Sequence, residues 1–294
     1  MPASSTISGV VVNSARLARS RLIKASVYTF STLAGILIAT RGHFSPEVLL
    51  LAPLSTLLIS LAVYVLNDLS DLEVDRINAP NRPLARQVVS KREGLGFVLV
   101  LSGLGTAIGY VLGPFTFVIA LLEILVGVLY SIRPFNFKDR FIVKTLSIGA
   151  GGILANLFGG VASGIVNLDL IFCSAMFLIF IFSTSPLNDL ADYVGDKSHN
   201  RKTIPIVIGP ERTIKLSILT SIAPPIFALI FFKLLSFNPL SILLLALITI
   251  RSLQLLLPLA KTELSFATVR KHQKKMVYLH FLLQGALVVG SFAL

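Results

Sequence analysis

Nine apolar runs of about twenty residues, roughly 22–40, 46–66, 94–112, 114–132, 145–165, 168–187, 214–233, 240–259 and 276–294, take up most of this 294-residue chain. Each is long enough to cross about 30 Å of hydrocarbon as a helix. With 54% hydrophobic and only 14% charged residues, and a mean hydropathy of +0.85, the chain reads as an all-α, polytopic membrane protein. Breakers at Gly113-Pro114 and Asn238-Pro239 separate neighbouring runs, and no linker or low-complexity stretch divides the chain, so a single domain over residues 1–294 is expected. The segment before the first run has no small-residue cleavage site, so no removable signal peptide is expected. One cysteine, Cys173, lies inside an apolar run and is expected to be packing.

The formal charge of +12 is distributed by topology. Of 26 Lys and Arg residues, 23 fall in the N-terminal segment (Arg16, Arg19, Arg21, Lys24) and in the segments after runs two, four, six and eight. The alternate connections hold Arg41 and Lys233. This asymmetry predicts a plasma-membrane protein whose N-terminus and basic loops are cytoplasmic. Most of these cations face anionic headgroups, so membrane lipid is an expected partner and nucleic acid is not.

Against this apolar background one polar pattern occurs twice. NDLSDLEVD, Asn67 to Asp75, follows the second run, and NDLADYVGD, Asn188 to Asp196, follows the sixth. Both copies therefore fall on the same membrane face. If helical, Asn67, Asp71 and Asp75 step by four residues and, with Asp68, form one stripe, while Glu73 points away. Stacked carboxylates repel unless a cation sits among them. Mg²⁺ is the natural cation, because it takes hard oxygen ligands and bridges carboxylates to phosphates. Beside the stripes lie Asn81-Arg82-Pro83-Leu84, Tyr130 to Lys138 (YSIRPFNFK) and Arg201-Lys202-Thr203, groups that suit phosphate oxygens. The competing readings are a solvated charge run, made improbable by the repetition, and a transporter with an acidic cation site.

Nine spans, the doubled acidic motif and these basic segments resemble the UbiA superfamily of intramembrane prenyltransferases over nearly the whole length. The resemblance implies a helical bundle around a lateral or central cavity open to the cytoplasmic face. It also implies Mg²⁺-dependent transfer of a prenyl group from a prenyl diphosphate to a lipophilic acceptor. Asn67, Asp68, Asp71, Asp75, Asp189, Asp192 and Asp196 would hold Mg²⁺. Arg82, Tyr130, Lys138, Arg201 and Lys202 would line the diphosphate, with Arg16 or Arg19 approaching from the first helix. Asp71, Asp75, Asp192, Asp196 and Lys138 would be the catalytic set.

The wording DLEVDRINAPNRPL and VGDKSHNRKTIPIVIG resembles the branch that includes archaeal ether-lipid synthases, implying a geranylgeranyl donor and geranylgeranylglyceryl phosphate as acceptor. An aromatic acceptor is the alternative. A phosphorylated acceptor needs cations beyond those on the donor, for which Arg133, Arg86 and the group Arg270, Lys271, Lys274, Lys275 are expected. Two midspan charges, Glu123 and Arg251, are expected to pair with each other, with acceptor binding as the alternative role. His280 and His199 are expected to be packing and surface residues.

Overall fold

Local capping chemistry starts several helices at the membrane boundary. Ser45 accepts a hydrogen bond from the Val48 amide, and Pro46 opens the helix whose first turn carries Glu47. Ser90 and Glu93 close a reciprocal capping box, and Asn167 caps Leu170. Gly113, at φ 140°, makes the tight turn between two spans that the Gly-Pro pair announces.

The computed structural model describes residues 7–261 and 265–292. In chain order the helices are α1 (Ile7–Thr40), α2 (Pro46–Ser70), α3 (Leu72–Asn78), α4 (Lys91–Leu112), α5 (Pro114–Ser131), α6 (Val143–Ala162), α7 (Leu168–Ala191), α8 (Tyr193–Ser198), α9 (Ile204–Ile208), α10 (Pro210–Ile230), α11 (Leu240–Lys261) and α12 (Phe266–Ser291). No strand occurs among the described residues. Among the described residues eight helices, all the long ones except α12, are long and apolar enough to cross a membrane. The ninth long helix, α12, opens with Arg270, Lys271, Lys274 and Lys275 and becomes apolar from Met276; the end of the ninth predicted run, at 293–294, lies outside the described residues.

The first helix differs from its predicted start at residue 22, because it begins at Ile7 and carries the whole basic group on its own turns. The second half of each motif opens a short helix of its own, α3 and α8.

Contact with a membrane leaves large side chains such as Leu99, Val111, Phe115, Leu219 and Leu229 facing outward, while the centre is closely packed. Phe158, Phe177 and Phe180 are fully buried, as is Cys173, which makes no disulfide. Between α1 and α6 the backbones approach so closely that a Cβ at Gly35 would strike the Asn156 carbonyl and one at Gly159 would strike the Thr32 carbonyl. Thr32 fixes the same seam, its hydroxyl donating to Ala155 O at 2.9 Å. Helices in lipid gain nothing from hydrophobic burial against each other, so such small-residue contact is their main adhesive.

Gly159→Leu is therefore expected to lower the midpoint of thermal unfolding in detergent sharply, from overpacking of at least about 1–3 kcal/mol. Gly103→Ala, where a Cβ meets nothing within 4 Å, should be neutral or slightly stabilising in the same assay.

Candidate active site

Each copy of the motif is a helix end with a break at its third polar position. Asp71, at φ −109° and ψ 16°, ends α2 and begins α3; Asp192, at φ −100° and ψ 10°, does the same between α7 and α8. The Asp71 and Asp75 amides still donate back to Asn67 O (3.0 Å) and Asp71 O (2.8 Å), so the four-residue step predicted for the stripe survives the break. The two breaks bring α3 and α8 together. Asn78 Nδ2 lies 3.4 Å from Asp196 Oδ1, and Gly195 packs against the Asn78 side chain where a Cβ would not fit.

Asp68, Asp71, Asp75, Asp189 and Asp196 are all buried, and basic side chains from five segments hold them. Arg21 of α1 pairs with Asp68, as does Arg82 at 3.2 Å, and Arg82 also binds Asp75. Lys138 reaches Asp71 at 2.8 Å and Ser70 Oγ at 2.6 Å. Lys144 of α6 lies 2.5 Å from Asp189 and 3.8 Å from Asp196. Arg201 binds Asp71 from one copy, lies 3.5 Å from Asp196 of the other, and is steadied by Asp139 at 2.9 Å. The half-buried Asp192 pairs with Arg270 at 2.7 Å.

Burial and charge pull these acids in different directions. Burial would raise Asp71, but the adjacent Arg201 and Lys138 outweigh it and hold its carboxyl below the usual range. At Asp196 burial dominates the attraction of Lys144 and pushes the carboxyl up to about 6. Asp75 is also raised by burial, in spite of Arg82. Arg201 loses some affinity for its proton through burial and regains more from Asp71, Asp139 and Asp196, so its cationic form is reinforced.

Below this polar network, toward the middle of the bundle, opens a chamber of about 230 Å³. Asn67, Asp71, Asp75, Asp189, Asp192, Asp196, Arg82, Tyr130, Lys138 and Arg201 all line it, so ten of the residues singled out from sequence converge. Asp68 is fully engaged behind the wall with Arg21 and Arg82. Arg16 and Arg19 are exposed on α1 and outside the chamber; the residues that α1 contributes are Arg21 and Lys24. The sequence places all four in one cluster, and only the helical register, once α1 is known to begin at Ile7, separates the inward pair from the outward pair. Lys202 is exposed and contributes its backbone N–H to Asp139 O. Lys144 and Asn188, not singled out for a role, both line the chamber.

Arg133 lies elsewhere, in a second cavity of about 430 Å³ on the far side of the Asp71–Lys138–Arg201 wall, together with Glu73, Arg76 and Lys91. The expected Glu123–Arg251 pair does not form. Arg251 is exposed and donates to Gln254 Oε1 at 2.9 Å, whereas Glu123 is buried and lines the chamber. A helix places side chains by its rotation, and these two helices turn the charges to different surroundings. His280, expected to be packing, sits between Phe177 and Phe180 with Nε2 2.7 Å from Thr184 Oγ1, and it also lines the chamber.

Among the described residues no three His, Cys, Asp or Glu side chains form a ready metal site, because the acids face basic partners. Mg²⁺ does not require one, since it keeps waters and binds through one or two carboxylates plus substrate phosphates. Asp189 Oδ2 and Asp196 Oδ2 are buried and accept no hydrogen bond, hard oxygens of the kind such an ion takes.

This architecture is an intramembrane chamber capped by paired acids and the Arg and Lys side chains that hold them. Residues 28–289 match the UbiA prenyltransferase family, and the chain belongs to it. It is an intramembrane prenyltransferase, and the transporter reading gives way to it. A digeranylgeranylglyceryl phosphate synthase of Thermococcus sibiricus is 34% identical over 209 residues, 67% of this chain and 71% of the relative. The one of Sulfurisphaera tokodaii is 28% identical over 75% of this chain and 82% of its own. A UbiA homologue from Archaeoglobus fulgidus bound to GPP and Mg²⁺ has the same fold, with a TM-score of 0.71 at 20% identity over 94% of this chain and 99% of that one.

The placement of the α1 cations gives a direct test. Arg21→Leu leaves Asp68 buried with only Arg82 beside it, and should cost about 3–5 kcal/mol of stability, seen as a lowered thermal midpoint. Arg16→Ala and Arg19→Ala, on the exposed side, should change that midpoint within about 0.5 kcal/mol.

Proposed function

We propose that the whole chain is one catalytic domain that transfers a geranylgeranyl group from its diphosphate to the free hydroxyl of geranylgeranylglyceryl phosphate, with Mg²⁺ as cofactor. The observation that carries the reading is the polar cap over a membrane-level chamber: phosphate chemistry at one end, room for hydrocarbon at the other. The names of the relatives support the choice of acceptor. An aromatic acceptor remains the second reading for the same chamber.

Asn67, Asp71, Asp75, Asp189, Asp192 and Asp196 would hold the metal, whose positive charge would offset that of the leaving diphosphate. Arg82, Lys138 and Arg201 already stand among these acids and would turn to the diphosphate oxygens. Lys144 anchors Asp189 and Asp196 from below, and the Tyr130 ring closes the chamber wall. The apolar walls, including Val63, Ile148, Phe177 and Ile181, keep water from the developing allylic cation.

The positions expected for the acceptor's phosphate are Arg133, Arg86 and the Arg270 group; Arg86 is exposed and lines neither cavity. Arg270 is spent on Asp192, and Arg133 opens on the second cavity. Inside the chamber Lys24 is, among the described residues, the lining cation without an ion pair, and we assign the acceptor's phosphate to it. The capped end, by the distribution of basic residues, would face the cytoplasm and release pyrophosphate there.

Incubation of purified protein with labelled geranylgeranyl diphosphate and a panel of acceptors tests the reading. Transfer to the glycerophosphate lipid is expected, lost in excess chelator and restored by Mg²⁺. Transfer to a hydroxybenzoate or naphthoate instead would select the aromatic reading. Asp71→Asn and Asp192→Asn are each expected to lower kcat at least about 100-fold with a folded protein, since each removes charge from one half of the site.

A further inference from the structure

Glu123 is the feature of the chamber that prenyl-diphosphate chemistry leaves unexplained. It sits on α5 seven residues, or roughly 10 Å, toward the opposite membrane face from Tyr130. Its side chain is 92% withdrawn from solvent, since only 8% of the residue is exposed, and it lines the chamber. Neither Oε1 nor Oε2 has a hydrogen-bond partner. Tyr28 of α1, Ile59 of α2 and Gly151 of α6, which line the chamber with it, lie seven or eight residues along their helices from Arg21, Asn67 and Lys144, and Phe177 of α7 lies eleven from Asn188, so Glu123 belongs to the deep part of the chamber, its floor. A carboxyl buried there without a partner destabilises the bundle, because its desolvation is not offset by any hydrogen bond.

The donor cannot satisfy it. Beyond its diphosphate, held at the other end, a prenyl chain is hydrocarbon. The second substrate can, because it must bring a hydroxyl. That hydroxyl must also come from the floor side, since the diphosphate leaves toward the cap and the nucleophile attacks the allylic carbon from the opposite direction. A carboxyl accepts a hydrogen bond from a hydroxyl in either protonation state.

Resting on the transfer reaction proposed above, we infer that Glu123 is the acceptor-binding residue of the chamber floor, hydrogen-bonded to the acceptor's nucleophilic hydroxyl. Transfer then forms the ether C–O bond as the allylic C–O bond breaks, with the hydroxyl proton released to pyrophosphate or water. Glu123 orients the oxygen, and its unsatisfied state in the absence of acceptor is stability given up for recognition.

The test compares the parent, Glu123→Leu and Glu123→Gln in lipid nanodiscs. Direct binding of labelled geranylgeranylglyceryl phosphate, and of a labelled hydroxybenzoate, is measured together with donor affinity and thermal midpoint. The expected result is at least tenfold weaker acceptor binding in Glu123→Leu, ~1.4 kcal/mol, with donor affinity within twofold and a midpoint equal to or above the parent's. Glu123→Gln, which keeps hydrogen-bonding capacity, should recover most of the acceptor affinity. Unchanged acceptor affinity in Glu123→Leu overturns the assignment. So does a lowered midpoint with donor and acceptor affinities falling together, the sign of a packing role. A parent that binds acceptor but does not transfer the prenyl group would sink the catalytic reading alone, leaving the binding difference to decide the role of Glu123.

Discussion

Five aspartates are buried together at one boundary of an apolar bundle, and the rest of the structure follows from the cations that meet them there. Isolated carboxylates in such surroundings would be driven to take up protons; each instead meets an Arg or Lys supplied by a different part of the chain. Arg201 contacts acids of both motif copies, and Lys144 bridges two acids of the second. Ion pairs in this setting add little net stability over apolar packing, but removing one member costs several kcal/mol, so they fix which segments can meet. The network thereby sets the register of α1, α2, α6 and the connections after α5 and α8.

The same pairing prepares the site for a diphosphate. Cations that hold the acids in the absence of substrate are the groups a diphosphate attracts, and acids relieved of those cations suit a divalent ion. Breaks at Asp71 and Asp192 help, because they let the backbone turn over the chamber mouth with one carboxylate from each copy at the turn. Asp75 and Asp196, the matching last positions of the two copies, are both raised by burial, whereas Asp71, in the middle of its stripe, is held ionised by two cations.

Membrane packing supplies the other half of the design. Gly35 and Gly159 let α1 and α6 touch, which holds Arg21 and Lys24 at the chamber wall beside Lys144. Further down, the chamber stays open between α1, α2, α5, α6, α7 and α12, and there Glu123 is left without a partner.

The sequence by itself determined the helical membrane class, since runs of twenty apolar residues have few other fates in lipid, and it determined where the acids lie, since a motif written twice at the ends of even-numbered spans must fall on one face. It also kept Glu73 off the stripe by simple helical period; the structure turns that residue to the second cavity. Rotation of each helix about its axis was decided only by tertiary packing. That rotation chose Arg21 over Arg16 and Arg19, sent Arg251 outward and Glu123 inward, and committed Arg270 to Asp192. Local periodicity carries little information about rotation in a helix that is apolar all round, because lipid and protein interior reward the same side chains.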